Sequence, residues 1–210
     1  MMKTQHAFLL TACAVAAMTG LAQESAAPAA AAVQPGKAAP VFTLQDIQGN
    51  AHALEAFKGA YVVLEWTNYD CPFVKKHYET GSLPTLQKNM ADAQVVWLSI
   101  CSSAPGKQGH FTKEQWQERM TAVKAAPKAV LLDPDGRVGR QYGARNTPHL
   151  FVVNPEGVVI YMGAIDDQPG VDRTIMDKAV NYVSQALAEA KAGKPVSVPT
   201  TAPYGCSVKY

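Results

Sequence analysis

Residues 61–78, YVVLEWTNYDCPFVKKHY, constrain the fold of this chain more than any other stretch. Residues 61–66 are β-branched and aromatic with a single charge, the composition of a buried strand. A short connection leads to Cys71, and Pro72 suits the first position of a helix, where its missing N–H removes no bond. Cys71 is therefore expected at a helix N-terminus, where unpaired N–H groups and the positive dipole end favour a thiolate. Lys75 and Lys76 add positive charge in the first turn and a half. Free cysteine is also among the most buried residue types, so an inert core thiol is the competing reading. The proline and the lysines favour the reactive one.

The 210 residues suit one domain with extensions, and 48% hydrophobic with 17% charged residues fits a packed core rather than disorder. A net charge of +2 gives no reason to expect a nucleic-acid partner. Residues 1–22 read as a signal peptide: Lys3 precedes an apolar run, and Gly20-Leu21-Ala22 forms a small-x-small site for cleavage after Ala22. Leu10-Thr11-Ala12-Cys13 offers an alternative, a lipoprotein box with Cys13 lipidated. Either route exports the chain, with the bacterial periplasm as the expected compartment, where disulfides persist. No later apolar run is long enough for a membrane span. Residues 23–39, rich in Ala and Pro, are expected to be a flexible leader, residues 40–193 the folded domain, and residues 194–210 an irregular, mobile tail carrying Cys206.

Within the domain, two short strands around the turn 46–50 precede one helical turn at 54–58 and the strand 61–66. The helix opening at Pro72 is interrupted at 81–84, with Ser82 as the expected cap of its continuation. A second buried strand covers 95–100. Thr112 and Gln115 form a capping box for a helix to about residue 124. A strand at 129–132, a short helix at 138–142, a hairpin of 149–153 with 158–162, and a long helix at 172–191 complete the order. Strand–helix alternation followed by a hairpin implies an α/β fold, a mixed central sheet sandwiched by helices with an N-terminal β extension.

Cys71-Pro72-Phe73-Val74-Lys75, Tyr142-Gly143, Thr147-Pro148, Asp133-Pro134-Asp135-Gly136 and Gly205-Cys206-Ser207-Val208-Lys209 together resemble the thioredoxin superfamily. More narrowly, they resemble its peroxiredoxin-like branch of alkyl hydroperoxide reductase and thiol-specific antioxidant proteins. The resemblance implies the thioredoxin-like fold, Cys71 as nucleophile, and Pro148 in cis facing it, with Thr147 offering backbone groups to an incoming thiol or disulfide. Glu65 stands six residues before Cys71, the offset of the buried acid of thioredoxins. It is either a proton shuttle for the thiol or a strand-edge glutamate facing water. Two departures bear on chemistry. Val74 replaces the second cysteine of a Cys-x-x-Cys pair, so no thiol within the helix can resolve Cys71. Asn68 stands where peroxiredoxins carry a hydroxyl residue, and Arg145 is the candidate for their peroxide-site arginine.

The mature chain would keep Cys71, Cys101 and Cys206, leaving Cys206 as the first and Cys101 as the second candidate for resolving partner. The expected function is an exported thiol-disulfide oxidoreductase or peroxiredoxin-like antioxidant protein. Its partners would be protein or small-molecule thiols and disulfides or hydroperoxides, with an external thiol reductant. A true thiol peroxidase and a redox-inactive binding or copper-delivery module are the alternatives. No cofactor is implied, and His52, His77, His110 and His149 lack metal-ligand spacing. His77 and Tyr78 are expected to decorate the helix surface.

Overall fold

The architecture is built on strands whose alternate residues feed two different cores. In the computed structural model, which describes Met1 and residues 32–210, β1 (Thr43–Asp46), β2 (Ala51–Ala53) and a 3-10 turn (Leu54–Phe57) lead into β3 (Val62–Trp66). There follow α1 (Pro72–Glu79), α2 (Ser82–Asp92), β4 (Val96–Cys101), α3 (Lys113–Ala122), β5 (Ala129–Leu132) and α4 (Arg137–Tyr142). Then come β6 (Asn146–Thr147), β7 (His149–Val153), β8 (Val159–Gly163), α5 (Tyr182–Lys191) and β9 (Cys206–Ser207). The signal-peptide and lipoprotein expectations, with residues 23–31 of the expected leader, lie outside the described residues.

Seven strands form a mixed sheet in the order β2-β1-β5-β4-β3-β7-β8. β3, β4 and β5 run parallel, and β7, β8, β1 and β2 join antiparallel at the two sides. β3, an inner strand between β4 and β7, is buried at every position. Because side chains alternate across a sheet, Val63 faces a core with Val74, Tyr78, Leu83, Trp116 and Leu187 from α1, α2, α3 and α5. Leu64 and Trp66 face the other core, with Val138 and Tyr142 of α4 and Phe42 before β1. The mixed sheet between helical layers and the N-terminal β extension match the expected fold.

Four expectations change. Residues 33–39 are no leader: Val33 and Ala39 are buried, Gly36 N donates to Val159 O at 2.8 Å, and Val159 N donates to Lys37 O at 2.9 Å. Ser82 does not cap α2; Gly81 does, at φ 75°, a left-handed conformation that glycine adopts without a Cβ clash, while Ser82 Oγ donates to His77 O. The last helix begins at Tyr182 rather than at residue 172. Asp172 Oδ1 accepts from Thr174 N and Oγ1 in a local turn, and Asn181 is the residue whose side chain caps the helix, accepting from Ser184 N at 2.9 Å. The tail, finally, is ordered. β9 pairs antiparallel with β6, Thr147 opposite Cys206 and Asn146 opposite Ser207.

Candidate active site

β3 ends at Trp66, and the chain turns into α1 through Asn68. Asn68 Oδ1 accepts from Asp70 N at 3.0 Å and Asn68 O accepts from Cys71 N at 2.9 Å. This is an Asx turn, the local hydrogen bonding that makes Asn a natural helix entry. Asn68 is buried, and its amide reaches Gln108 O at 3.3 Å, tying the turn to the loop after β4. It therefore shapes the approach to Cys71. Cys71 is the N-cap of α1, with Pro72 at the first helical position, as the sequence suggested.

The Cys71 sulfur is fully buried and donates to Thr147 O at 3.1 Å. The Thr147–Pro148 bond is cis, as the resemblance implied. Burial raises the thiol pKa. The nearby Cys206 thiol, Thr147 hydroxyl and backbone N–H groups of Val74 and Cys206 favour the thiolate and outweigh it, so the Cys71 pKa lies below the ordinary thiol value. The Thr147 hydroxyl has no partner while Cys71 is a thiol, which leaves it free to turn onto the sulfur as charge develops. Cys206 is pushed up to about 11, first by burial and then by the neighbouring Cys71 sulfur and the charge there. The pair is thus polarised, with Cys71 the thiol that gives up its proton more readily. Both are free thiols in this structure, as is Cys101.

Register brings Cys206 to the turn that holds Cys71. Thr147, whose carbonyl touches Cys71, lies directly opposite Cys206 in the β6–β9 pair. Gly205 makes the close approach feasible: at φ 125° its Cβ, if present, would lie 2.1 Å from Thr147 O. Asn146 Nδ2 donates to Gly205 O at 2.9 Å, and Val208 N donates to Arg145 O at 3.0 Å. Beyond Cys206, Tyr210 OH donates to Ala144 O at 2.8 Å and its ring stacks under the Arg140 guanidinium, 4.5 Å from the centroid.

Glu65 is buried, which removes the reading of a solvent-facing strand edge. Its carboxyl accepts from Trp97 Nε1 at 2.8 Å, Ser99 Oγ at 2.8 Å and Tyr78 OH at 3.1 Å. Burial raises its pKa; the donors offset this only in part, so the net direction is upward. On the segment from Glu65 to Cys71, Thr67 Oγ1 and Tyr69 OH are buried and lack partners.

The remaining candidates fall elsewhere. Cys101 Sγ donates to Gly109 O at 3.3 Å and lines a cavity of about 60 Å³ with Phe111 and Trp116, whereas Cys206 is paired with Thr147 beside Cys71. The Arg145 side chain is exposed, and its backbone holds β9. Among the described residues no three His, Cys, Asp or Glu side chains converge as metal ligands, and no helix is long and apolar enough to cross a membrane.

The sequence missed the buried polar cluster beneath the tail. Lys76 and His77, one expected to lend charge and the other to decorate the surface, are both buried, as are Tyr78 and Asp166. The available signal was the spacing of Phe73, Lys76 and His77 at i, i+3 and i+4, which puts one aromatic and two basic groups on one helix face.

A parallel β3–β4–β5 core, antiparallel β7–β8, helices on both faces and a cis-proline turn against a helix-capping cysteine define a thioredoxin-fold protein. The chain belongs to the AhpC/TSA family, whose model matches residues 35–162, and so to the peroxiredoxin-like branch of the superfamily. Similar solved structures include an uncharacterized conserved protein from Geobacillus kaustophilus, 25% identical, covering 84% of this chain and 92% of that one with a TM-score of 0.71. A hypothetical protein from Sinorhizobium meliloti 1021 is also 25% identical, covering 86% and 96%, with a TM-score of 0.72. A putative thiol:disulfide interchange protein DsbE from Chlorobium tepidum, 20% identical over 62% of this chain and 85% of its own, shares the fold with a TM-score of 0.51. No curated protein matches.

Proposed function

We propose that this chain is an exported thiol-disulfide oxidoreductase in which Cys71 is the nucleophile and Cys206 the resolving thiol. The observation that carries the reading is the register that sets Cys206 opposite Thr147, whose carbonyl accepts from the Cys71 thiol, with Cys71 lowered and Cys206 raised in pKa. The Cys71 thiolate attacks a client disulfide R–S–S–R′, forming Cys71–S–S–R and expelling R′–S⁻. The Cys206 sulfur then attacks the Cys71 sulfur, closing the Cys71–Cys206 disulfide. R–S⁻ leaves, and the proton of Cys206 goes to a released thiolate. Two electrons pass to the client, and an external dithiol restores the protein. Thr147 lends its hydroxyl and its carbonyl to the reacting sulfur, and Glu65 holds or releases a proton as the thiol pair changes charge. Export rests on the N-terminal sequence, with cleavage after Ala22.

A second reading places a hydroperoxide where the client disulfide would be. Family membership and the unpartnered Thr147 hydroxyl favour it. Cys71 would be oxidised to a sulfenic acid with release of an alcohol, and Cys206 would condense with it, releasing water.

Thiol trapping with peptide mass mapping tests the common core of both readings. After one equivalent of a small disulfide oxidant the expected product is a Cys71–Cys206 peptide. A Cys71–Cys101 link, or no link at Cys71, would contradict it. Insulin reduction without peroxide consumption selects the first reading.

A further inference from the structure

Tyr204 lies two residues before Cys206, and its hydroxyl is the meeting point of the cluster beneath the tail. It donates to Asp166 Oδ1, and two other groups surround the same oxygen: His77 Nε2 at 3.1 Å and Lys76 Nζ at 3.4 Å. A phenol has one proton to give and two lone pairs to receive with. With the proton given to Asp166, the histidine must present Nε2–H. Burial, and then the Lys76 charge, pushes His77 down to about 3, so the ring is neutral, as that assignment needs. At 3.8 Å from Asp166 Oδ2, His77 Nδ1 is too far for a hydrogen bond. The Tyr204 ring is clasped as well: Phe73 lies 6.1 Å away by centroid and Lys76 Nζ 5.1 Å from the ring centre. Lys76 Nζ also donates to Gln168 O at 2.5 Å.

Neither core accounts for this arrangement. Lys76 is fully buried and Asp166 is 2% exposed, and burying charges is costly unless they are paired and hydrogen-bonded. The cluster joins three parts of the chain: α1, the connection after β8, and the tail. Phe73, Lys76 and His77 lie on the helix whose N-cap is Cys71. A tail fixed to that helix moves with it, so the two sulfurs keep their relation when the helix shifts. From Thr201, pinned to Ala164 N at 2.8 Å, to Cys206 the chain has four intervening residues, and Tyr204 is the side chain among them that hydrogen-bonds to α1.

We propose that Tyr204 is a positioning residue for the second step of disulfide exchange: through Asp166, His77 and Lys76 it holds the tail on α1 and so sets the effective concentration of the Cys206 sulfur at Cys71. The inference rests on the reading of Cys71 and Cys206 as a redox pair. In the step concerned, the Cys206 sulfur attacks the Cys71 sulfur of the mixed disulfide, the Cys71–Cys206 bond forms, and R–S⁻ leaves to take up the proton. A resolving thiol held near its target reacts as if concentrated, and loosening its tether lowers that advantage.

The test equilibrates the full chain with glutathione and glutathione disulfide and traps the fraction of Cys71–Cys206 disulfide by alkylation and mass mapping. Tyr204→Phe keeps the ring and removes the hydroxyl; Asp166→Asn alters the same contact from the other side. The expected result is a fall in the equilibrium effective concentration of about tenfold in Tyr204→Phe, and a fall in the same direction in Asp166→Asn. Thermal midpoints of the reduced proteins are the control: a lower midpoint with an unchanged equilibrium gives Tyr204 a structural part alone and overturns the proposal. Failure of both variants to fold does the same. A wild-type chain that never forms the Cys71–Cys206 disulfide defeats the redox-pair reading, and the positioning role with it. A disulfide that forms in wild type and is insensitive to both substitutions defeats only the positioning role.

Discussion

Two neighbouring parallel strands, β3 and β4, each lead to a buried cysteine, and the two thiols are tuned in opposite directions. Cys71 is fully buried and Cys101 is 4% exposed, so burial alone does not separate them. Cys71 stands at a helix N-terminus with a thiol, a hydroxyl and two backbone N–H groups placed to favour its thiolate, and its pKa falls. At Cys101, burial dominates the two Ser103 donors, the Asp133 carboxylate adds to it, and the pKa rises. The lesson is that a buried thiol becomes a nucleophile through the number of donors aimed at it and the absence of a carboxylate nearby. Asp133 itself is held in place by Ser102 Oγ at 2.5 Å and the N–H groups of Val138 and Gly139 at 3.1 and 2.8 Å, serving the start of α4.

The contrast can be broken at either end. Cys71→Ser is expected to lower disulfide-reductase turnover by about a thousandfold or more, with Cys101→Ser within about twofold of wild type, measured by insulin reduction. Loss of activity in the Cys101 variant with a retained fold would exchange the roles. Gly205→Ala should be the next largest. A Cβ at 2.1 Å from Thr147 O forces β9 off β6, and Cys71–Cys206 formation should fall by about tenfold or more, read by trapping after oxidation.

Glu65 sharpens the comparison from beneath the sheet. Its pKa is raised in the folded state, so the stability it contributes is full below the ordinary carboxylate range near 4.3 and is lost as pH rises through its folded value. Glu65→Gln should remove that slope. Wild type should lose stability relative to the variant on raising pH above about 4.5, by at most about 1.4 kcal/mol per pH unit, in denaturant titrations at several pH values. Parallel pH profiles would place Glu65 outside any proton traffic. The smallest effect is expected at Cys101→Ala, where a lost sulfur costs about 1 kcal/mol of stability, visible as a shift in denaturant midpoint.

Residues 61–72 were legible because strand and helix start are written locally: β-branched residues for β3 and Pro72 for the first helical position. The capping box of Thr112 and Gln115 was legible for the same reason, and both its bonds are present. The tail was not. β9 has two residues, too short for any periodicity, and its partner Thr147 lies far back in the chain. The setting of Glu65 was hidden likewise, since Trp97 and Ser99 come from β4 and only the β3–β4 register brings them to it. Cys206 could be named from the sequence as a partner for Cys71, but a mobile tail was expected where the chain builds a strand with a Tyr on either side.

The most direct test follows the alkylation rates of Cys71 and Cys101 in the reduced protein against pH, resolved by peptide mass mapping, in wild type and in Cys206→Ala. The account predicts a Cys71 midpoint below the ordinary thiol value of about 8.5, a Cys101 midpoint above it, and an upward move of the Cys71 midpoint when the Cys206 donor is removed. A Cys71 midpoint at or above the ordinary value, or one indifferent to Cys206, would contradict it.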